Sequence, residues 1–171
     1  MPISNATPLI YLASIQKLHL LKTLFNQIQI PPEVAKETVN QGKAKGHPDA
    51  YTIEQAITNK WITIHTISEE NLKKSKAIAE MTGIDIGEAQ AIILAKQKNE
   101  KQILIDETNA RQIAKHLGLH PKGTIFIILN ATKKKHITKA TAKDMLNKLI
   151  EANFYLNTKI YRDTLKAIEE I

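Results

Sequence analysis

GEAQAIILAKQKNEKQILIDETNARQIAKHL, Gly87 to Leu117, reads as helix, strand, helix. Its first part, Glu88-Ala89-Gln90-Ala91-Ile92-Ile93-Leu94-Ala95, is an apolar helix with a glutamate on its opening turn. A polar turn (Lys96 to Gln102) follows, then the short apolar run Ile103-Leu104-Ile105, which ends abruptly on Asp106-Glu107. A second, amphipathic helix starts directly afterwards and runs to Gly118. In an open parallel sheet, the carboxyl ends of strands and the amino ends of the helices that follow lie along one edge. Glu88 at a helix start and Asp106 at a strand end are 18 residues apart, yet such a sheet lets them converge. Converging carboxylates without a base partner suit a hard divalent cation.

Working outward, the segments on either side repeat the alternation of strand and helix. Met1 to Asn5 has room only for a short strand, and Thr7 with Pro8 forms a plausible N-cap and first turn for a helix. The spacing of Leu9, Leu12, Ile15, Leu18 and Leu21 supports helix through about residue 25, with a break near Gln16-Lys17. Ile28 to Ile30 is a second strand stopped by Pro31-Pro32, and a helix over Val34 to Asn40 carries Glu37 one turn in. Gln41 to Asp49, with two glycines and a proline, reads as a mobile loop. Tyr51 to Asn59 is a helix, Trp61 to His65 alternates as a third strand with Trp61 in the core, and Ser68-Glu69-Glu70 caps a helix reaching Met81. Beyond Leu117, a short strand falls within Gly118 to Gly123. Thr124 to Leu129 (TIFIIL) fits a buried strand or, with its continuation Asn130-Ala131-Thr132-Lys133, a helix. Two amphipathic helices, about 141–152 and 157–169, close the chain. Strands alternating with helices predict an α/β fold with a parallel sheet covered on both faces.

The chain has 171 residues, 43% hydrophobic and 24% charged, which suits one domain with a real core. No apolar run approaches the ~18 residues of a membrane helix, and no leader peptide is evident. The absence of cysteine excludes a disulfide scaffold and a thiolate metal site, and fits a reducing cytoplasm. A net charge of +7 favours polyanionic partners such as RNA.

In order and spacing, several pieces together resemble the PIN domain family, and more closely its small prokaryotic toxin–antitoxin branch. They are Ser4-Asn5-Ala6-Thr7-Pro8-Leu9-Ile10, Pro31-Pro32-Glu33-Val34-Ala35-Lys36-Glu37, Gly87-Glu88-Ala89-Gln90-Ala91, and Leu104-Ile105-Asp106-Glu107 with Ala110-Arg111. Gly123-Thr124 and Asn153-Phe154 extend the likeness over nearly the whole chain. The resemblance implies a single three-layer α/β/α domain over 1–171, with 140–171 as its C-terminal helical extension. It also implies an acidic pocket holding Mg²⁺ or Mn²⁺, cleavage of single-stranded RNA, homodimerisation and an antitoxin protein as partner. On that pattern Asp106, Glu88 and Glu37 are the acidic metal ligands and catalytic residues. Asn5 stands where active members usually carry aspartate; its amide oxygen can coordinate a cation but brings no charge. A catalytically weak or inactive nucleic-acid or protein binding module is therefore the alternative.

Each residue also has a plainer reading. Asp106 suits an N-cap for a helix starting near Asn109. Glu88 forms a capping box with Asp85, a reserve ligand, and Glu37 fits a solvated helix face. Asn5 suits a cap or turn. Thr7 either caps the first helix or binds metal-bound water or phosphate, and Arg111 either holds a site carboxylate, contacts phosphate or forms a surface ion pair. Lys133, Lys134 and Lys135, followed by His136, form the strongest basic cluster: an RNA-backbone contact, or a solvated helix end.

Overall fold

Every residue from Gly87 to Ala95 is buried, so this helix has no solvated face and belongs to the middle of a layered structure. The computed structural model describes Met1–Ile171. Strands β1 (Ile3–Ser4), β2 (Ile28–Ile30), β3 (Ile62–Ile64), β4 (Gln102–Leu104) and β5 (His120–Lys122) form one sheet, parallel throughout, in the order β3-β2-β1-β4-β5. The helices are α1 (Ala6–Ser14), α2 (His19–Phe25), α3 (Pro32–Ala35, continuing through π-helical Lys36–Gln41 into Gly42–Ala44) and α4 (Asp49–Thr58). After these come α5 (Glu69–Thr82), α6 (Ile86–Gln97), α7 (Thr108–His116), α8 (Thr124–Lys133), α9 (Lys139–Glu151) and α10 (Thr158–Glu170).

Two hydrophobic cores lie on opposite faces of the sheet, giving the expected three layers. Strand parity divides them. Ile3, Ile103 and Ile105 pack with Ile92 and Leu94 of α6 and Ala110 and Ala114 of α7, whereas Leu104 faces α1, α2, α8 and α9 through Leu9, Leu12, Leu21, Ile127 and Leu146. Phe154 and Ile168 join this larger core, so the C-terminal helices share it with the sheet. No helix is long and apolar enough to cross a membrane.

Several local expectations are decided or corrected by the structure. TIFIIL is the first half of helix α8: Ile127 and Ile128 are buried, and Ala131 one turn further on continues the buried stripe. The segment from Gln41 to Asp49 is shorter as a loop than expected, because α3 runs on through Ala44. Gly42 permits this close passage, since a Cβ there would sit 2.8 Å from Ala50 Cβ. The cap position of α1 is Asn5 rather than Thr7, which lies inside the first turn with its hydroxyl engaged elsewhere. Trp61 precedes β3 and is only half-buried, against the larger core.

Candidate active site

Strand order places the reversal of direction between β1 and β4, and crevices at such switch points, outside the carboxyl ends of the strands, are where open α/β sheets bind ligands. The chain leaves β1 at Asn5, whose backbone N–H donates to Leu104 O at 3.0 Å. It leaves β4 through Ile105, Asp106 and Glu107. The two exits are therefore stitched together, and their acidic and amide side chains meet.

Glu107 stands at the centre. Its Oε2 accepts from Asn5 Nδ2 at 3.0 Å, and its Oε1 accepts from the Thr7 hydroxyl. The Glu88 carboxyl is close enough to Glu107 to share a hydrogen bond when one of the two holds a proton. Glu88 arrives there through the capping box read from the sequence: Asp85 N donates to Glu88 Oε2 at 3.0 Å, and Glu88 N to Asp85 Oδ1 at 2.7 Å. The box fixes one oxygen of Glu88 and aims the other inward. Capping and site roles thus coexist in one side chain. Burial, reinforced by the Asp85 charge and by Glu107, raises the Glu88 pKa to about 8.

Glu37 reaches the same edge from the π-helical part of α3, a type of helical distortion often found at functional sites. Its Oε2 lies over Gly87, 3.2 Å from where a Cβ would be, with Asp85 Oδ1 on the same glycine at 3.3 Å. A side chain at residue 87 would push these carboxylates apart. With Glu33, Gln41 and Ile86 they line a shallow depression of ≈200 Å³. Desolvation, followed by the charges of Asp85, Glu107 and Glu33, raises the Glu37 pKa.

Asp106 is placed differently from the sequence expectation. It does not cap α7; Glu107 holds that position. Strand alternation turns Asp106 toward the face of Leu104, where its Oδ1 accepts from Thr124 N and its Oδ2 from Thr124 Oγ1, both at 2.7 Å. It therefore caps α8, which packs on that same face of the sheet. Burial raises its pKa to about 6, against the lowering effect of the Thr124 bonds. Gly123 is fitted to it: a Cβ at residue 123 would lie 2.6 Å from Asp106 Oδ1. The backbone there is extended at φ −111°, so space rather than conformation requires glycine. Gly123→Ala is expected to cost about 1–3 kcal/mol as an overpacked site, read as a lower urea midpoint with an unchanged slope.

Arg111 donates from Nη1 to Ile105 O at 2.9 Å and lends its charge to Asp106, so it braces the end of β4. The structure does not bring Lys133, Lys134 and Lys135 to the acidic edge. They end α8, whose first residue meets Asp106, and ten residues of helix put them roughly 15 Å away. Lys133, Lys135 and His136 instead border a groove of ≈360 Å³ with Thr138 and Lys139. Glu107 was visible in the sequence beside Asp106. What hid its place was the turn after β4, which swings the second acid of the pair over β1.

No three acidic or histidine side chains already stand around one point in ligand geometry. The donor set nevertheless fits a cation on other grounds. Asn5 Oδ1 and Glu88 Oε1 are buried with no hydrogen-bond partner, in residues only 2% and 5% exposed. Buried polar atoms are ordinarily paired, and each orphan calls for an explanation. A proton shared with Glu107 would satisfy Glu88 Oε1; with that proton gone, the two oxygens, beside the further carboxylates of Glu107 and Glu37, form a donor set of the kind a hard cation takes.

Compared with known proteins, the chain matches the family model of the PIN domain over residues 1–170, while no curated protein and no solved structure matches it. With that match spanning the parallel sheet and its acidic switch point, the chain belongs to the PIN domain family.

Proposed function

We propose that this protein is a divalent-metal-dependent ribonuclease acting on single-stranded RNA, a toxin-like member of its family working in the cytoplasm as a homodimer opposed by an antitoxin protein. PIN domains are generally nucleases, and the observation that carries the reading to this chain is the pair of orphaned oxygens, Asn5 Oδ1 and Glu88 Oε1. Glu88 and Asn5 would hold Mg²⁺ or Mn²⁺, with Glu107 and Glu37 as further ligands or as acceptors for waters on the ion. When bound, such an ion supplies an activated water near neutral pH and relieves charge on the phosphate. Asn5 and Thr7 grip Glu107 in a fixed orientation through both of its oxygens. Asp106 shapes the site by locking α8 against β4, and Arg111 holds the strand end that carries both acids. Glu37 is the least restrained acid and faces the depression, where it can take a proton from an approaching water.

Incubating a labelled single-stranded RNA with the protein and Mn²⁺ or Mg²⁺ tests the reading. Cleavage is expected, stopped by a chelator and lost in Glu88→Gln. Folded protein that leaves several RNAs intact with both metals would overturn it. The second reading, a weak or inactive binding module, is favoured by one observation: Asn5 brings no charge, and both Asp106 oxygens are already taken by Thr124. Asn5→Asp separates the two. It adds a charge to the cation site, so activity that appears only in that variant identifies the native protein as the inactive module.

A further inference from the structure

The face of α1 that grips Glu107 continues past Thr7. Four residues on, one helical turn away, Tyr11 occupies the same face. Thr7 is hydrogen-bonded to Glu107, so Tyr11 stands about 6 Å along α1 from that contact. Its ring is held from the other side. Phe154 meets it edge-on, with centroids 4.8 Å apart at 84°, and its hydroxyl donates to Asn153 O at 3.3 Å. Asn153 turns the chain at φ +63° after α9, and Phe154 then anchors the turn in the core. The next residue, Tyr155, is 86% exposed. A core-anchored, T-stacked aromatic thus carries a fully displayed one, two residues on from the carbonyl that the Tyr11 hydroxyl touches.

We propose that Tyr155, on the turn that Tyr11 and Phe154 hold in place, seats an unstacked nucleobase of a strand whose phosphate lies at the acidic centre. The proposal rests on the nuclease reading for its ligand. Every base has a π-face, so stacking on tyrosine binds without demanding one sequence. A base paired in a duplex has no open face to offer, so the seat selects single-stranded or looped RNA. The scale agrees: Thr7 to Tyr11 advances about 6 Å along the helix, against roughly 3.4 Å per nucleotide in a stacked strand. The path continues through the Tyr11 ring and Asn153 to Tyr155, so the base concerned is several nucleotides from the cleaved bond. The seat also explains an exposed tyrosine on a turn whose neighbours are fixed on both sides.

The test is binding of a short single-stranded oligonucleotide in Ca²⁺, intact or with an abasic position stepped along it. Tyr155→Ala is expected to weaken binding of the intact strand roughly 5- to 150-fold, the range of one lost base–aromatic stack. Tyr155→Trp should restore it. One abasic position should weaken binding to native protein by the same factor, yet have no further effect on Tyr155→Ala. Because Tyr155 is exposed, its variant should fold; Tyr11→Ala removes core contacts and is not relied upon. Equal binding of intact and abasic strands by native protein would overturn the proposal. So would a Tyr155→Ala variant that dissociates a dimer while binding RNA normally, since the ring would then serve a second copy. Hydrolysis of a small phosphodiester lacking a base reports separately on catalysis. If native protein binds as described but does not cleave, the nuclease reading fails and the base seat stands.

Discussion

Glu107→Gln is expected to lower RNA cleavage by roughly 10²–10³-fold, the scale of removing one electrostatic element from a preorganised site, while leaving the metal-free protein at least as stable as native. The reason is the sign of the local field. Glu107 contributes to raising the pKa of Glu88, Glu37 and Asp106 alike, so without a cation it repels its neighbours. A neutral amide relieves that repulsion, keeps an oxygen for Thr7 or Asn5 to grip, and forfeits the charge a metal ion needs. Asp106→Ala should behave in the opposite way. It removes both acceptors of Thr124 and strands a buried backbone N–H, at about 1–3 kcal/mol for the unsatisfied donor. Activity then falls because α8 and the strand end lose their registration. Cleavage rates and thermal unfolding of the two variants, measured side by side with and without Mn²⁺, check the contrast. If Asp106→Ala abolishes metal binding with unchanged metal-free stability, Asp106 is a principal ligand after all.

That contrast marks where sequence reading reaches its limit. Burial periodicity made the layers legible: Ile92 to Ala95 has no polar face, Ile103 to Ile105 is too short for a helix, and the alternation between such segments permits little besides a covered parallel sheet. Asp85 and Glu88, three residues apart, specify their capping box locally, and it forms as read. Asp106 and Glu107 are harder, because they are adjacent in sequence and identical in charge. Which one faces α8 and which one β1 depends on strand parity followed by a turn of the backbone, and neither leaves a mark in composition. Asn5 and Thr7 show the same limit. Both are good capping residues, and only the position of Glu107 across the sheet decides that their side chains cap nothing and hold a carboxylate instead. For Lys133 to Lys135 the sequence suggested a charge patch correctly, but its distance from the acids is a property of the helix between them. TIFIIL was ambiguous for a related reason: a buried helix and a buried strand share one composition.

Metal-free protein is expected to lose stability as pH rises from 4.5 to about 8, and a divalent cation is expected to restore it. Glu88 has an ordinary pKa of 4.5 and one of about 8 in the fold. Between those values the folded chain holds a proton that the unfolded chain has released, so unfolding is increasingly favoured as pH climbs. This contribution is fully present below 4.5 and gone above 8. Glu37 shifts in the same direction, and Asp106 does so at lower pH, between 3.8 and about 6. A cation held by Glu88 and its neighbours would remove the penalty, because it would neutralise the charge that the proton neutralises in its absence. At a free concentration 100 times its Kd it contributes about 2.7 kcal/mol, which for a chain of this length raises Tm by roughly 5–10 °C. The rise should be larger at pH 9 than at pH 6, since at the lower pH the metal must first displace protons. Glu88→Gln should flatten the metal-free pH slope and shrink the metal-induced rise together, because one carboxylate underlies both. Thermal unfolding at the two pH values, with chelator or Mn²⁺, measures each quantity. A variant that loses the slope but keeps the full metal response would place the cation away from Glu88 and leave the orphaned Oε1 without its explanation.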